Sequence, residues 1–457
     1  MMELKNKRVL VVGLGRSGLS AAMFLRGLGA RVTVSDTRSA IALANEIPAL
    51  LDAGIMVEAG GHGLLTFRRQ DLIVVSPGVP LDTPEVAQAL GFGLPVIGEL
   101  ELASRFLQGE ILAVTGANGK TTTTTLIGKI LSDAGRPTQV GGNIGLPVID
   151  LIPQSTPETL NVLEVSSFQL ETVEQFRPRI AVILNITPDH LDRHGSFENY
   201  VAAKERIFAR QTPDDALVLN ADDLTTQMCA AHANASSKPA IYWFSASKIV
   251  RVGAFVRDGI VLWVPREGSP AEPILPVSEI KLKGVHNVEN VLAAVAAGRL
   301  AGVPAESIRA SVATFNAVEH RLEFVRAVRG VDFYNDSKAT NVDAALKALQ
   351  SFPGNIHLIL GGKDKNSDYT QLAPLLSERV KTVYTIGSAA EKIERQLHGM
   401  VKMVAAGTLG AAVTQAAKDA TAGDVVLLAP ACSSFDQFEN YEHRGQVFRQ
   451  CVLDLPA

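Results

Sequence analysis

Short runs of aliphatic and β-branched residues recur along the chain, each stopping abruptly at glycine or polar residues before a helix-like stretch. Arg8–Val12 runs into Gly13, Arg31–Ser35 into Asp36, Leu72–Val75 into Ser76-Pro77-Gly78, and Ile111–Val114 into Thr115-Gly116. A strand that is apolar throughout has to be covered on both faces, as in a parallel sheet between layers of helix. Gly18–Leu28 and Lys120–Leu131 read as helices of that kind, and Val162–Val165 and Ala181–Leu184 as further strands. Val250–Arg257 and Ile260–Val264, parted by Asp258-Gly259, predict a hairpin. Val288–Leu300 is an alanine-rich helix, and Val331–Tyr334, Ile356–Leu360, Val383–Ile386 and Val425–Leu428 are the strands of a last unit.

A length of 457 residues suits about three domains of roughly 150 residues each. With 47% hydrophobic and 20% charged residues, each can build a core. Lys+Arg 43 against Asp+Glu 47 gives a net charge of -4 without a basic stripe, which argues against nucleic acid as a partner. Cys229, Cys432 and Cys451 are isolated, as expected of a reducing compartment. No uncharged apolar stretch reaches about 18 residues, so no membrane span is expected, and the apolar start runs into glycines, not a cleavage site. A cytoplasmic monomer is the expectation.

Thr115-Gly-Ala-Asn-Gly-Lys-Thr-Thr122 carries the most chemistry. A strand ends, Gly116 and Gly119 bracket a tight loop with Asn118 between them, and Lys120 opens a helix whose first N–H groups favour an anion. Lys120 suits terminal phosphates, and Thr121 or Thr122 can ligate Mg²⁺. Position 114 is Val where the general phosphate-loop pattern has Gly, so the spacing is shortened.

Gly13-Leu-Gly15-Arg-Ser-Gly18, followed by Asp36, satisfies a dinucleotide fingerprint. It leaves open a nicotinamide, another nucleotide diphosphate, or glycines that only pack. Glu164 and Asp189-His190 follow strands and could hold a cation, although His190 alone reads as a structural histidine; Lys204 alone reads as a surface lysine. Three polar crossings follow strands in the last unit: Asn335-Asp336-Ser337-Lys338-Ala339-Thr340-Asn341, Gly361-Gly-Lys-Asp-Lys365 and Ala429-Pro-Ala-Cys-Ser-Ser434, the last leading to Tyr441. Together they favour a shared polar site.

Thr115–Thr122, Glu164-Val-Ser-Ser, His190, Gly284-Val-His-Asn287, His320-Arg321 and Asp336-Ser-Lys-Ala-Thr-Asn together resemble the Mur ligases of bacterial cell-wall synthesis, over essentially the whole chain and in order. Within that family, Gly13–Gly18, Asp36-Thr-Arg38 and Pro430-Ala-Cys-Ser-Ser-Phe-Asp-Gln-Phe favour the member joining D-glutamate to UDP-N-acetylmuramoyl-L-alanine through an acyl phosphate. The resemblance implies an N-terminal Rossmann-like domain (1–97) for the UDP-substrate, a central P-loop-type ATPase with a mostly parallel sheet (98–317), and a C-terminal Rossmann-like domain (318–457) for the amino acid.

By the same resemblance, Gly15, Arg16, Ser17, Asp36, Thr37, Arg38, Ser76, Gly78, Asn143 and His190 meet the UDP-substrate. ATP is met by Gly116, Asn118, Gly119, Lys120, Thr121, Thr122, Asn290, Arg321 and Asp336. Lys338, Thr340, Lys365, Ser434 and Tyr441 would hold D-glutamate, with Lys363 the alternative to Lys365; Tyr441 stands where a phenylalanine is usual. Lys120, Glu164, His190 and Lys204 are the implied catalytic set. Mg²⁺ (or Mn²⁺) would lie against Thr121, Glu164, His190 and a carbamoylated Lys204. Two rivals explain less: a folylpolyglutamate-synthase-like ligase has no use for the Gly13–Gly18 domain, and an NAD-dependent dehydrogenase leaves Lys120 idle.

Overall fold

The computed structural model describes residues 2–236, 238–282, 284–316 and 320–456. It contains three sheets, mostly parallel, with helices between successive strands. The first sheet takes β1 (Arg8–Val12), β2 (Arg31–Asp36), β3 (Met56–Ala59), β4 (Leu72–Val75) and β5 (Val96–Gly98) in the order β3-β2-β1-β4-β5, all parallel. The second begins with β6 (Glu110–Thr115), β7 (Thr138–Gly142), β8 (Leu160–Glu164) and β9 (Ile180–Ile183). It continues with β10 (Ala216–Asn220), β11 (Ala240–Ser245), β12 (Gly253–Arg257), β13 (Ile260–Val264) and β14 (Glu272–Pro276), in the order β14-β13-β12-β11-β10-β9-β6-β8-β7. The third takes β15 (Glu323–Val328), β16 (Val331–Asn335), β17 (Ile356–Gly361), β18 (Val380–Ile386), β19 (Lys402–Gly407) and β20 (Val425–Leu428), ordered β15-β16-β20-β17-β18-β19.

The α/β expectation and the strands read from the sequence are borne out. β12 and β13 pair antiparallel around Asp258 and Gly259, both at positive φ, as an Asp-Gly turn requires. Eight strands were not foreseen: the six that edge the three sheets (β3, β5, β7, β14, β15 and β19) and the interior pair β10 and β11. Met56–Ala59 and Glu323–Val328 have no fully apolar run, because an edge strand leaves much of itself in solvent.

The chain condenses into two compact units. One contains Met1–Ile186, Glu198–Leu275 and Val291–Ser311; the other contains Thr187–Phe197, Pro276–Asn290 and Val312–Ala457. The expected boundary at 317/318 falls on residues outside those described. In the first unit, two buried glutamates on the helix Glu99–Ser104 tie the first two sheets together. Glu101 accepts the N–H groups of Glu174, Gln175 and Phe176 (2.8, 3.0 and 3.1 Å) and pairs with Arg105 at 2.7 Å. Glu99 accepts the Ile149 N–H at 2.8 Å, while its Oε2 is buried with no hydrogen-bond partner among the described residues. Burial pushes its carboxyl up to about 7, the Ile149 N–H pulls it down, and Asp150 adds to the rise.

A carboxyl raised on folding contributes stability that is full below its unfolded pKa and lost as pH rises through the folded one. Urea denaturation is therefore expected to show stability falling as pH rises from about 4.5 to about 7 and levelling off above that. Glu99→Gln, which keeps an acceptor for Ile149 but cannot ionise, should remove that fall and be about 1–3 kcal/mol more stable than the parent at pH 8.5. A Glu99→Gln profile parallel to the parent's would refute this.

Candidate active site

The candidate residues divide between the two units, and in each they gather at the C-terminal ends of adjacent parallel strands, where a doubly wound sheet opens its crevice.

In the first unit β6 leads into the phosphate loop. Gly116 and Gly119 adopt φ +154° and +87°, which only glycine takes without strain. Asn185, just past β9, splints the loop: its carbonyl accepts from Ala117 N–H (2.9 Å), and its side chain both accepts from Asn118 N–H (2.8 Å) and donates to the Asn118 carbonyl (3.0 Å). Lys120 opens the helix Lys120–Asp133, and its ammonium arches over the loop to the carbonyls of Gly116 (3.0 Å) and Ala117 (2.9 Å). The next residue, Thr121, donates to Glu164 Oε2 at 2.8 Å, and Asn143 donates to Glu164 Oε1 at 2.9 Å. A hydroxyl and a carboxylate beside a phosphate loop are hard oxygen donors, which fit Mg²⁺. Thr122 is buried.

Lys204 is not the surface lysine that its sequence context suggests. It is 1% exposed, with Nζ 2.8 Å from the Gly116 carbonyl, 3.5 Å from Thr115 Oγ1 and 4.6 Å from the centroid of the Tyr200 ring. The helix Phe197–Glu205 turns this lysine inward against the phosphate loop.

The glycine motif of the first sheet separates into two jobs. A Cβ on Gly18 would lie 2.0 Å from the Gly13 carbonyl, and Gly13 sits at φ +87°, so these two are required by the turn. Gly15 has an ordinary φ of -69° and faces open space, as a position approached by a ligand would. Asp36 is heavily engaged: it accepts from Leu14 N–H (2.6 Å), from Arg38 N–H (2.8 Å) and from the Arg38 guanidinium (3.0 and 3.1 Å). Burial pushes its carboxyl up, but the Arg38 side chain and the N–H groups of Arg38 and Leu14 outweigh that and hold it below the usual range. Ser76 donates to the Gly13 carbonyl at 2.7 Å. Arg16, Ser17, Thr37 and Gly78 lie at the same strand ends.

In the second unit β16, β20 and β17 are neighbours, so the three polar crossings emerge side by side. Arg444, fully buried on the helix Tyr441–Leu453, ties two of them. It donates to Ser337 Oγ (3.0 Å), the Ser337 carbonyl (2.7 Å) and the carbonyls of Cys432 (3.1 Å) and Ser433 (3.3 Å). Asp364 binds the third crossing through Ser367 N–H (3.0 Å), Tyr369 Oη (2.8 Å) and Lys392 (2.7 Å), and Tyr369 Oη lies 2.9 Å from Cys432 Sγ. Arg444 did not stand out in the sequence, and Asp364 appeared there only as a member of its crossing.

Asp336 is buried, and burial pushes its carboxyl up to about 6 against the pull of the Arg321 charge and the Leu322 N–H. Arg321 Nε is buried without a hydrogen-bond partner among the described residues. Asn290 donates to Asn287 at 3.0 Å on the helix that also bears His286, whose ring burial and the charges of Lys347 and Arg321 push down to about 4. Lys338 lies 4.9 Å from the Tyr441 ring centroid, Thr340 follows in the same crossing, and Ser434 is buried.

A cleft of about 610 Å³ brings His190 together with Lys365, Asn341 and Asp189. Asp189 accepts from Asn341 at 2.9 Å and pairs with Lys365 at 3.4 Å and His190 at 3.6 Å. Lys365 lines that cleft, whereas Lys363 is exposed and its backbone is zipped to Ser433. His190, His320, Leu322 and Ala431 all stand at positive φ, a strain that concentrates at functional loops. Among the described residues no group of three or more His, Cys, Asp or Glu forms a metal centre, and no helix is long and apolar enough to cross a membrane.

Residues 7–98 match the family profile "Mur ligase MurD-like, N-terminal domain", 114–298 "Mur ligase middle domain" and 320–432 "Mur ligase, glutamate ligase domain". The chain is 69% identical over 452 residues to the UDP-N-acetylmuramoylalanine–D-glutamate ligase of Acidobacterium capsulatum, covering 99% of this chain and 97% of the relative. It is 57% identical to the enzyme of that name from Koribacter versatilis, covering 99% of each. Among solved structures it resembles a pseudomurein peptide ligase type C from Methanothermus fervidus (TM-score 0.62, 19% identity, 99% of this chain and 100% of that one). The UDP-N-acetylmuramate-alanine ligase of Thermotoga maritima is also similar (TM-score 0.60, 20% identity, 98% and 99%). These two show a shared fold.

The Arg444 knot has a measurable consequence. Arg444→Met keeps much of the apolar stem but strands the Ser337, Cys432 and Ser433 acceptors, and should cost about 2–4 kcal/mol in chemical denaturation. A loss below about 0.5 kcal/mol would show that the knot is dispensable.

Proposed function

The chain belongs to the Mur ligase family, and from that premise we propose that it joins D-glutamate to UDP-N-acetylmuramoyl-L-alanine, driven by ATP, using the residue clusters described above. The observation carrying this reading is the Thr121 hydroxyl 2.8 Å from the Glu164 carboxylate, one residue after the phosphate-loop lysine.

A carboxylate does not yield to an amine in water because its oxygen is a poor leaving group. In the proposed reaction the substrate carboxylate attacks the γ-phosphorus of ATP and the bond to ADP breaks, giving an acyl phosphate. The D-glutamate amine then attacks the acyl carbon, phosphate departs, and the amine proton is lost. Gly116–Thr122 cradle the phosphates with backbone N–H groups, and Lys120 offsets repulsion between the two anions. Thr121 and Glu164 would hold Mg²⁺, which would supply further positive charge at the phosphate oxygens. Asn143 and His190 position the UDP-substrate. Asn290, Arg321 and Asp336 serve the nucleotide of ATP, while Lys338, Thr340, Lys365, Ser434 and Tyr441 hold D-glutamate. Gly15, Arg16, Ser17, Thr37 and Arg38 meet the uridine diphosphate, and Asp36, saturated by Leu14 and Arg38, chiefly shapes that loop.

Lys204 fits carbamoylation. Reaction of its neutral amine with CO₂, with loss of a proton, replaces a buried cation by an anion with two oxygen donors, beside Thr115 and Gly116. Lys204→Ala should then lose most activity, with a short carboxylate in solution partly restoring it; full activity in that variant would end the idea.

Phosphate release measured with ATP, Mg²⁺, UDP-N-acetylmuramoyl-L-alanine and D-glutamate tests the whole reading. Release should require both acceptor and amino acid, and Lys120→Ala should lower it by about 10²–10³-fold. No release with that pair, together with turnover of NAD and a hydroxy acid, would overturn it.

A further inference from the structure

Gly60-Gly61-His62, at the exit of β3, plays no part in the reading so far. Its loop is stitched to the segment assigned to the uracil end: Gly60 N–H donates to the carbonyls of Asp36 (3.0 Å) and Arg38 (2.8 Å), and Gly61 N–H to that of Asp36 (3.3 Å). Gly60 and Gly61 stand at φ +88° and +153° with no atom within 4 Å of a would-be Cβ, so their backbone conformation, not close packing, requires glycine, and they leave room beside them. His62 follows, partly exposed, its ring edge-on to Phe67 with centroids 5.7 Å apart.

The Ser35 hydroxyl couples the tautomer of that ring to its own proton. Ser35 Oγ lies 3.3 Å from the Gly61 carbonyl and 2.7 Å from His62 Nδ1. A carbonyl can only accept, so when the single serine proton is given to Gly61 the His62 contact runs the other way, with Nδ1–H donating to Ser35 Oγ. Nε2 is left as a bare lone pair, with no hydrogen-bond partner among the described residues.

We infer that His62 is a specificity residue for the nucleobase of the UDP-substrate, its Nε2 accepting the N3–H of uracil. Uracil offers a donor at N3; cytosine offers a lone pair there, which would face the lone pair of Nε2. The loop thus selects a uridine nucleotide over a cytidine one. This rests on the assignment of the first domain to the UDP-substrate.

Titration calorimetry on the full chain with UDP, CDP and N3-methyl-UDP tests it. The parent should bind UDP about tenfold or more tightly than the other two. His62→Phe, which keeps an aromatic ring against Phe67 but has no lone pair, should lose about that factor for UDP and hardly change for CDP, closing the gap between them. Ser35→Ala, which frees the ring to take the other tautomer, should narrow the gap in the same direction. A parent that binds UDP and N3-methyl-UDP equally well overturns the proposal without recourse to any variant. So does a folded His62→Phe that keeps the parent's preference. A parent that binds the UDP-substrate but gains no discrimination from the base overturns it while sparing the domain's assignment. A parent that binds neither UDP nor that substrate overturns the assignment itself, and the proposal with it.

Discussion

A parallel strand cannot turn directly into its neighbour: the chain has to leave the sheet, cross a face as helix and re-enter at the same end. Segments that follow such strands therefore start on one edge, whatever their separation in sequence. In the second sheet β9, β6 and β8 are adjacent, so Asn185, the phosphate loop and Glu164 meet there. In the third sheet β16, β20 and β17 are adjacent, and Asp336, Cys432 and Lys365 follow them. In the first, β3 and β2 are adjacent, which brings His62 to Ser35. One rule of chain connectivity assembles all three polar clusters.

Polar loops gathered at one edge have to be held by partners that do not consume the charges needed for substrate. Arg444 illustrates the solution. Its guanidinium is fully buried, yet its hydrogen bonds go to carbonyls and a serine hydroxyl, with no carboxylate bonded to it among the described residues. Burial pushes it down to about 10, so it remains a cation at neutral pH. Lys204 likewise lies against a carbonyl and a hydroxyl. The acids behave differently. Glu101 spends its charge on three backbone N–H groups and an arginine, and so serves as a fastener between sheets. Glu164 is bonded to the Thr121 hydroxyl and the Asn143 amide.

What was legible in the sequence was contiguous. The phosphate loop, the Gly13–Gly18 turn, the Asp-Gly hairpin and the three polar crossings are each encoded within a few residues, because turn chemistry and strand termination are local. The pairing of crossings was inferable only because parallel strands share an exit edge. Residues that act from a distance were not legible. Arg444 lies in a helix of mixed polarity, and Asn185 is an ordinary loop asparagine until β9 is set beside β6. Lys204 shows the limit most plainly: its helix has little apolar–polar contrast, so nothing local says which face turns inward. The edge strands β3 and β15 escaped for a related reason, since a half-exposed strand has no continuous apolar run.

The two glycine loops now separate in function through one difference. Both place helix N–H groups at a strand exit, and both contain glycines at positive φ that hold the turn. The first has Asp36 drawn into it, bonded to Leu14 N–H and neutralised by Arg38, so the loop is rigid and close to charge-neutral. Such a loop can hold a diphosphate that stays intact. The second has Lys120 over its carbonyls and the Thr121–Glu164 pair at its rim. Charge there is concentrated where a phosphoryl group would gather negative charge as it moves. Asn185 holds that loop through Ala117 and Asn118, and the lysine and threonine of the helix start follow directly on it.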